Sequence, residues 1–356
     1  MIANFGRTDI IDHITSHHIT SHHERNANIE LLRIFAMLGI IAHHFSVHGH
    51  FEFQTNLITL NRLWTQFILM GGSLGNSIFV LISGYFLINS SGISLRKLIK
   101  FWLKIFFYSV TIYALFIIFG NKDFEIKEAI KIILPVSSGQ WWFASCWFVM
   151  YMAHPYLNIL LRNLSKINYQ KMLITFFILW SILPMIFFNK FQYQCNNLLW
   201  FMYLYGLAGY IRLHADNFGS WKYILYGLVG ILINFSIVVM FDVIGLKFHI
   251  FAKHSTFIYG MRHFTILFIT ACLLIGFKNL RINSNFINLI SSATFGVYLI
   301  HDNNFIRKFL WLELFKNASY SESPYLIIYS ILVIILVFSV CTFVDLLVQK
   351  ILRLAK

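Results

Sequence analysis

From about residue 31 onward the chain alternates long apolar runs with short polar connections. Ten runs reach or approach the roughly 20 residues that a helix needs to cross a hydrocarbon core. They lie at 31–48, 66–88, 98–119, 142–161, 172–188, 196–211, 223–241, 258–277, 287–305 and 325–349. The ninth has the weakest pattern because it opens on Ser291-Ser292-Ala293-Thr294. The pattern predicts an all-α integral membrane protein of about ten transmembrane helices. An even number of crossings returns both termini to one side.

Composition agrees with that reading. Of the 356 residues 58% are hydrophobic and only 12% charged, against about 25% charged in a soluble domain, so there is too little polar surface to cover an aqueous particle. Charge then orients the chain. The formal net charge is +14, but the basic residues sit in short connections between apolar runs rather than in a stripe, which excludes nucleic acid as the expected partner. Placing the N-terminus in the cytoplasm puts most Lys and Arg inside. The connection 89–104 weighs most, with Arg96, Lys97, Lys100 and Lys104 and no acid, whereas 120–141 mixes lysines with Asp123, Glu125 and Glu128. Both termini are therefore expected to be cytoplasmic. Cys146, Cys195, Cys272 and Cys341 lie far apart in or beside apolar stretches, a spacing that fits embedded thiols and neither a metal site nor a disulfide framework.

Residues 1–28 are polar and repeat His-Ile-Thr-Ser-His. They read as a disordered His-rich tail without the apolar core of a signal peptide. Residues 29–356 are expected to form one multi-span membrane domain.

Most of the chemistry lies in the first run. Ionisable groups inside a membrane helix are costly and point to function. At 100° per residue Arg33 and His44 fall about 20° apart on the helix face, with Glu30 and His48 close to the same stripe and His43 turned away by about 100°. The rise of the helix separates Arg33 from His44 by roughly 16 Å. A guanidinium near the cytoplasmic surface suits an anionic group arriving from that side. An imidazole, with an unperturbed pKa near 6.5, suits proton abstraction from a hydroxyl at neutral pH. The alternative is that Arg33 reaches to lipid headgroups and His44 bridges helices.

Arg33, ten intervening residues and His44 resemble the arginine-x10-histidine signature of the membrane-bound acyltransferase-3 family. Three further stretches are similar in the same order: Phe79-Val80-Leu81-Ile82-Ser83-Gly84-Tyr85-Phe86, then Trp141-Trp142-Phe143 with Tyr151 and Pro155-Tyr156-Leu157-Asn158, then Phe295-Gly296-Val297-Tyr298-Leu299-Ile300-His301-Asp302-Asn303. The resemblance runs from about residue 27 to the end of the chain. It implies transfer of an acyl group, usually acetyl, from cytoplasmic acetyl-coenzyme A to a hydroxyl of an envelope sugar or lipid-linked glycan, in a bacterial plasma membrane. Polysaccharide biosynthesis proteins would be partners, and no metal is expected.

By the same resemblance Arg33 and His44 form the essential pair, His44 being the base, with Glu30 on their stripe. The family often has two arginines two residues apart after the serine-glycine element. Here Arg96, Lys97, Lys100 and Lys104 keep the charge without the guanidinium geometry, and serve either to grip the coenzyme or as a positive-inside stop. Ser83 lacks a Gly-x-Ser-x-Gly context, so Ser83-Gly84 reads as close helix packing. Trp142, Tyr298 and His301 are acceptor-site candidates, set against interfacial roles. Asp345 is given no role, and no donor for a reaction oxyanion is identifiable. A polysaccharide export component or secondary transporter with a His/Arg-lined path is the alternative, disfavoured because the Arg33/His44 pattern does not recur in a second half.

Overall fold

The computed structural model describes residues 27–54, 56–120, 123–187, 194–215 and 221–354. Among them there is no strand. The helices of eight residues or more are α1 (Ala27–Val47), α2 (Leu60–Leu69), α3 (Gly71–Leu87), α4 (Leu95–Ile118), α5 (Ile126–Ile133), α6 (Trp142–Asn163), α7 (Lys166–Phe177), α8 (Asn197–His214), α9 (Lys222–Gly245), α10 (Phe264–Lys278), α11 (Asn285–Ser292), α12 (Thr294–His301) and α13 (Leu326–Leu354). Several begin where a side chain satisfies a first-turn N–H: Thr59 accepts from Arg62, Ser94 from Lys97, Asn196 from Leu199 and Ser284 from Ile287. Ala27 and Asn28, expected in the tail, instead open α1, where Asn28 donates to the Phe277 carbonyl at 2.7 Å. The rest of the expected tail, residues 1–26, lies outside the described residues.

Seven helical stretches among the described residues are long and apolar enough to cross a membrane: Ala27–Val47, Leu60–Leu87, Leu95–Ile118, Lys166–Phe187, Lys222–Gly245, His249–Lys278 and Leu326–Leu352. Each matches an expected run. The other three expected spans are also helical but do not meet that criterion. Residues 142–161 and 196–211 fall in α6 and α8, which turn polar groups toward each other rather than toward lipid. There the buried Asn158 donates to the carbonyls of Leu87 and Ser90 and accepts from the Tyr205 hydroxyl. Residues 287–305 divide into the short α11 and α12 at Ala293.

The chemically loaded α1 is the hub, packed by α2, α3, α10, α11, α12 and α13. Its contact with α3 is set by small residues: a Cβ on Gly71 would collide with the Gly39 carbonyl, and one on Gly75 with that of Ala36. Such close backbone approach is how helices associate where no hydrophobic force separates protein from lipid. One end of the bundle joins the start of α1 to the end of α13, since Ser291 bonds Glu30 and Gln349 donates to the Ser292 carbonyl. At the opposite end Asn317 donates to the Phe45 carbonyl, and Phe45 meets Tyr329 of α13 at 6.3 Å. The first will be called the Arg33 end, the second the His44 end. After α4 the chain folds inward: the Ser109 hydroxyl bonds the Ile132 carbonyl and the Gln140 side chain. Helix α6 therefore starts within the depth of the bundle, behind the buried Trp141.

Candidate active site

At the Arg33 end, Glu30 is buried, accepts from the Arg33 guanidinium at 2.8 Å and is bonded by Ser291. The carboxylate thus orients the arginine one turn along the same helix. Arg33 lines a cavity of about 270 Å³ together with Ser83, Phe101, Phe143, Trp147, Ser292 and Phe295, among others. The walls are largely aromatic, with the Arg33 guanidinium at one side. The Ser83 hydroxyl bonds the Phe79 carbonyl and accepts from the Trp147 indole at 2.9 Å, while Gly84 closes on the Tyr205 backbone. Both interactions belong to helix packing.

Helix α4 rises beside this cavity and contributes Phe101 to it. Of its four basic residues, Arg96, Lys97 and Lys100 are exposed. Lys104 differs. It pairs at 2.9 Å with the fully buried Asp345, which also accepts from Tyr108 and Gln349, and its ammonium sits 5.8 Å over the Phe295 ring of the cavity wall. The charge of Lys104 is thus already balanced by a residue that sequence reasoning left without a role.

The second centre lies at the other end of the α1 stripe. His44 Nδ1 is 3.0 Å from His301 Nε2, and His301 Nδ1 is 2.6 Å from the Val297 carbonyl. These two contacts determine the tautomers. A carbonyl only accepts, so His301 carries its proton on Nδ1; its bare Nε2 then accepts from His44 Nδ1–H, which leaves Nε2 of a neutral His44 with a free lone pair. Asp302 stands 3.6 Å from His44 Nδ1 and is held by Arg307 at 2.7 Å. Its carboxylate is placed to offset the charge that His44 acquires on taking a proton. His43 points elsewhere, donating to the Leu69 carbonyl at 2.7 Å.

The donor atoms of His44, His48 and Asp302 lie within 4.8 Å of one another, close enough to share a divalent ion, but the Asp302 carboxylate is already engaged by Arg307.

Of the acceptor-site candidates, His301 is in direct contact with His44, and Tyr298 is buried one turn before it on α12. Trp142 is not part of this cluster. It is 39% exposed and touches the rings of Phe143 and Phe201. The sequence reading missed Arg307, which follows the recognised stretch with no pattern of its own, and Ser291, read only as a weak start to a span.

The described residues thus form a helical membrane bundle whose central helix carries an oriented arginine beside an aromatic cavity and a histidine held by a second histidine. The family model described as an acyltransferase domain, acyltransferase-3, matches residues 26–344, and the chain belongs to that family. No curated protein and no solved structure matches the chain.

Proposed function

We propose that this protein is an O-acyltransferase that moves an acyl group, acetyl first of all, from acyl-coenzyme A to a hydroxyl of an envelope sugar or its lipid-linked precursor. In this reading it sits in a bacterial plasma membrane with both termini in the cytoplasm. The thioester enters at the Arg33 end. Arg33, oriented by Glu30, meets the anionic carrier, and Arg96, Lys97 and Lys100 attract it toward the mouth. His44 Nε2 takes the proton of the sugar hydroxyl as its oxygen attacks the thioester carbonyl, and Asp302 offsets the imidazolium that results. Collapse of the adduct breaks the carbon–sulfur bond, and the imidazolium returns the proton to the departing thiolate. A water-poor aromatic cavity would suppress hydrolysis of the thioester.

The observation that carries this reading is the Val297–His301–His44 relay, which leaves the ring nitrogen of His44 needed by a base unprotonated. The test is transfer of radiolabelled acetate from acetyl-coenzyme A into envelope glycan by membranes holding wild type, His44→Ala, Arg33→Ala or His43→Ala at equal expression. Loss of about 10²-fold or more is expected for His44→Ala, a large loss for Arg33→Ala and near-normal transfer for His43→Ala. Unimpaired transfer by His44→Ala would remove it as the base, and no transfer by wild type would favour the export reading.

A further inference from the structure

Acyl transfer by attack on a thioester places negative charge on the carbonyl oxygen, and catalysis needs a donor aimed at it. The histidine relay supplies none. Helix α12 carries three features along one face: Thr294 and Phe295 line the Arg33 cavity, His301 holds His44, and Tyr298 lies between them. The Tyr298 ring is 6.5 Å from Phe295, 6.4 Å from His301 and 6.0 Å from Phe143 of the cavity wall. Its side chain is only 5% exposed; its hydroxyl oxygen faces the Phe143 backbone amide, and its own O–H has no acceptor among the described residues. A buried donor without an acceptor costs roughly 1–3 kcal/mol, which a ligand oxygen would relieve.

The group beside that hydroxyl is the Phe143 backbone. Phe143 is in the first turn of α6, where N–H groups have no intrahelical acceptor. Helices α2, α4, α7, α8 and α11 cap that turn with a Ser, Thr or Asn side chain, whereas α3, α5, α9, α10 and α12 do not. Helix α6 is preceded by Trp141, which provides no side-chain cap, and the turn is inside the bundle, with Phe143 and Ala144 lining the cavity. A 22-residue helix start without a side-chain cap and a phenol with a free O–H thus meet behind the cavity wall at Phe143, on the side of His301. A helix N-terminus favours negative charge through its free N–H groups and its dipole.

Resting on the acyl-transfer reading above, we infer that the Tyr298 hydroxyl and the first-turn amides of α6 form the oxyanion hole, with Tyr298 a catalytic residue that donates to the thioester oxygen. As the sugar oxygen bonds to the carbonyl carbon, the carbonyl π pair moves onto oxygen and is stabilised there by Tyr298 O–H and the α6 amides. The hydroxyl proton goes to His44 Nε2. The pair then reforms C=O, the carbon–sulfur bond breaks, and the proton returns to the thiolate. Tyr298 keeps its own proton throughout.

Tyr298→Phe removes the oxygen that faces the Phe143 amide, so a purely structural role predicts a lowered unfolding midpoint rather than a selective loss of kcat. The experiment uses membrane vesicles carrying endogenous acceptor with [14C]acetyl-coenzyme A, alongside thermal unfolding and acetyl-coenzyme A binding of the purified full chain. The expected result is a kcat reduced about 10²-fold, with KM and Kd for acetyl-coenzyme A within about twofold of wild type and an unchanged unfolding midpoint. Near-normal kcat in Tyr298→Phe overturns the inference. So does a loss matched by weaker coenzyme binding or a lowered midpoint. If wild type itself transfers no acetate, the acyl-transfer reading fails and this inference with it; wild-type transfer with a fully active Tyr298→Phe overturns this inference alone.

Discussion

At the scale of single residues, most of the chemistry comes from pairs that restrict one another. In the proposed mechanism His44 is a base, and its tautomer is defined because His301 is itself held by Val297. Replacing His301 by Ala is therefore expected to lower kcat by about 10²-fold while leaving the KM for acyl-coenzyme A little changed, since His301 does not line the Arg33 cavity. Steady-state kinetics in vesicles checks this; an increased KM with unchanged kcat would assign His301 to binding instead. Glu30 stands in the same relation to Arg33. Glu30→Gln keeps the shape and removes the charge, so it should raise the KM for acyl-coenzyme A more than it lowers kcat.

At the scale of elements, the site depends on how closely helices approach. Gly71 and Gly75 bring α3 against α1, and Gly75→Leu would drive a side chain into the Ala36 carbonyl and the Ile40 side chain. Overpacking of this kind costs roughly 1–3 kcal/mol, and thermal unfolding in detergent should show it. A second element-level constraint is buried farther from the chemistry. Arg62 of α2 pairs with Asp242 of α9 at 2.6 Å and donates to the carbonyls of Gln54 and Leu57. It thus ties the segment after α1 to α9. Asp242→Ala leaves a buried guanidinium without its countercharge, with an expected loss of about 3–5 kcal/mol, measurable in the same way. Its effect on kcat should follow stability alone.

For the whole molecule, the proposed reaction requires that the carrier and the membrane be correctly oriented. Arg96 lies toward the Arg33 end, and Glu322 follows Asn317 at the His44 end; both are exposed. In a background lacking the four native cysteines, Arg96→Cys should react with an impermeant maleimide from the cytoplasmic side of sealed vesicles, and Glu322→Cys only from the other. Labelling of both from one side would contradict the proposed topology.

Helical class, membrane insertion and the Arg33–His44 stripe were all legible in the sequence. They depend on apolar run length and on the 100° step of one helix, both local properties of consecutive residues. The seven most apolar runs were equally plain. Residues 142–161, 196–211 and 287–305 were harder to read, because their polar positions are satisfied by other helices, as Asn158 is by Leu87, Ser90 and Tyr205. Run length cannot register a partner that is distant in the chain. For the same reason only tertiary structure could pair Lys104 with Asp345, 241 residues on, seat His301 against His44, 257 residues away, and bring the uncapped start of α6 beside Tyr298. A single helix can place an arginine and a histidine on one face, but the groups that orient them and complete their charge come from other helices, and only folding brings those together.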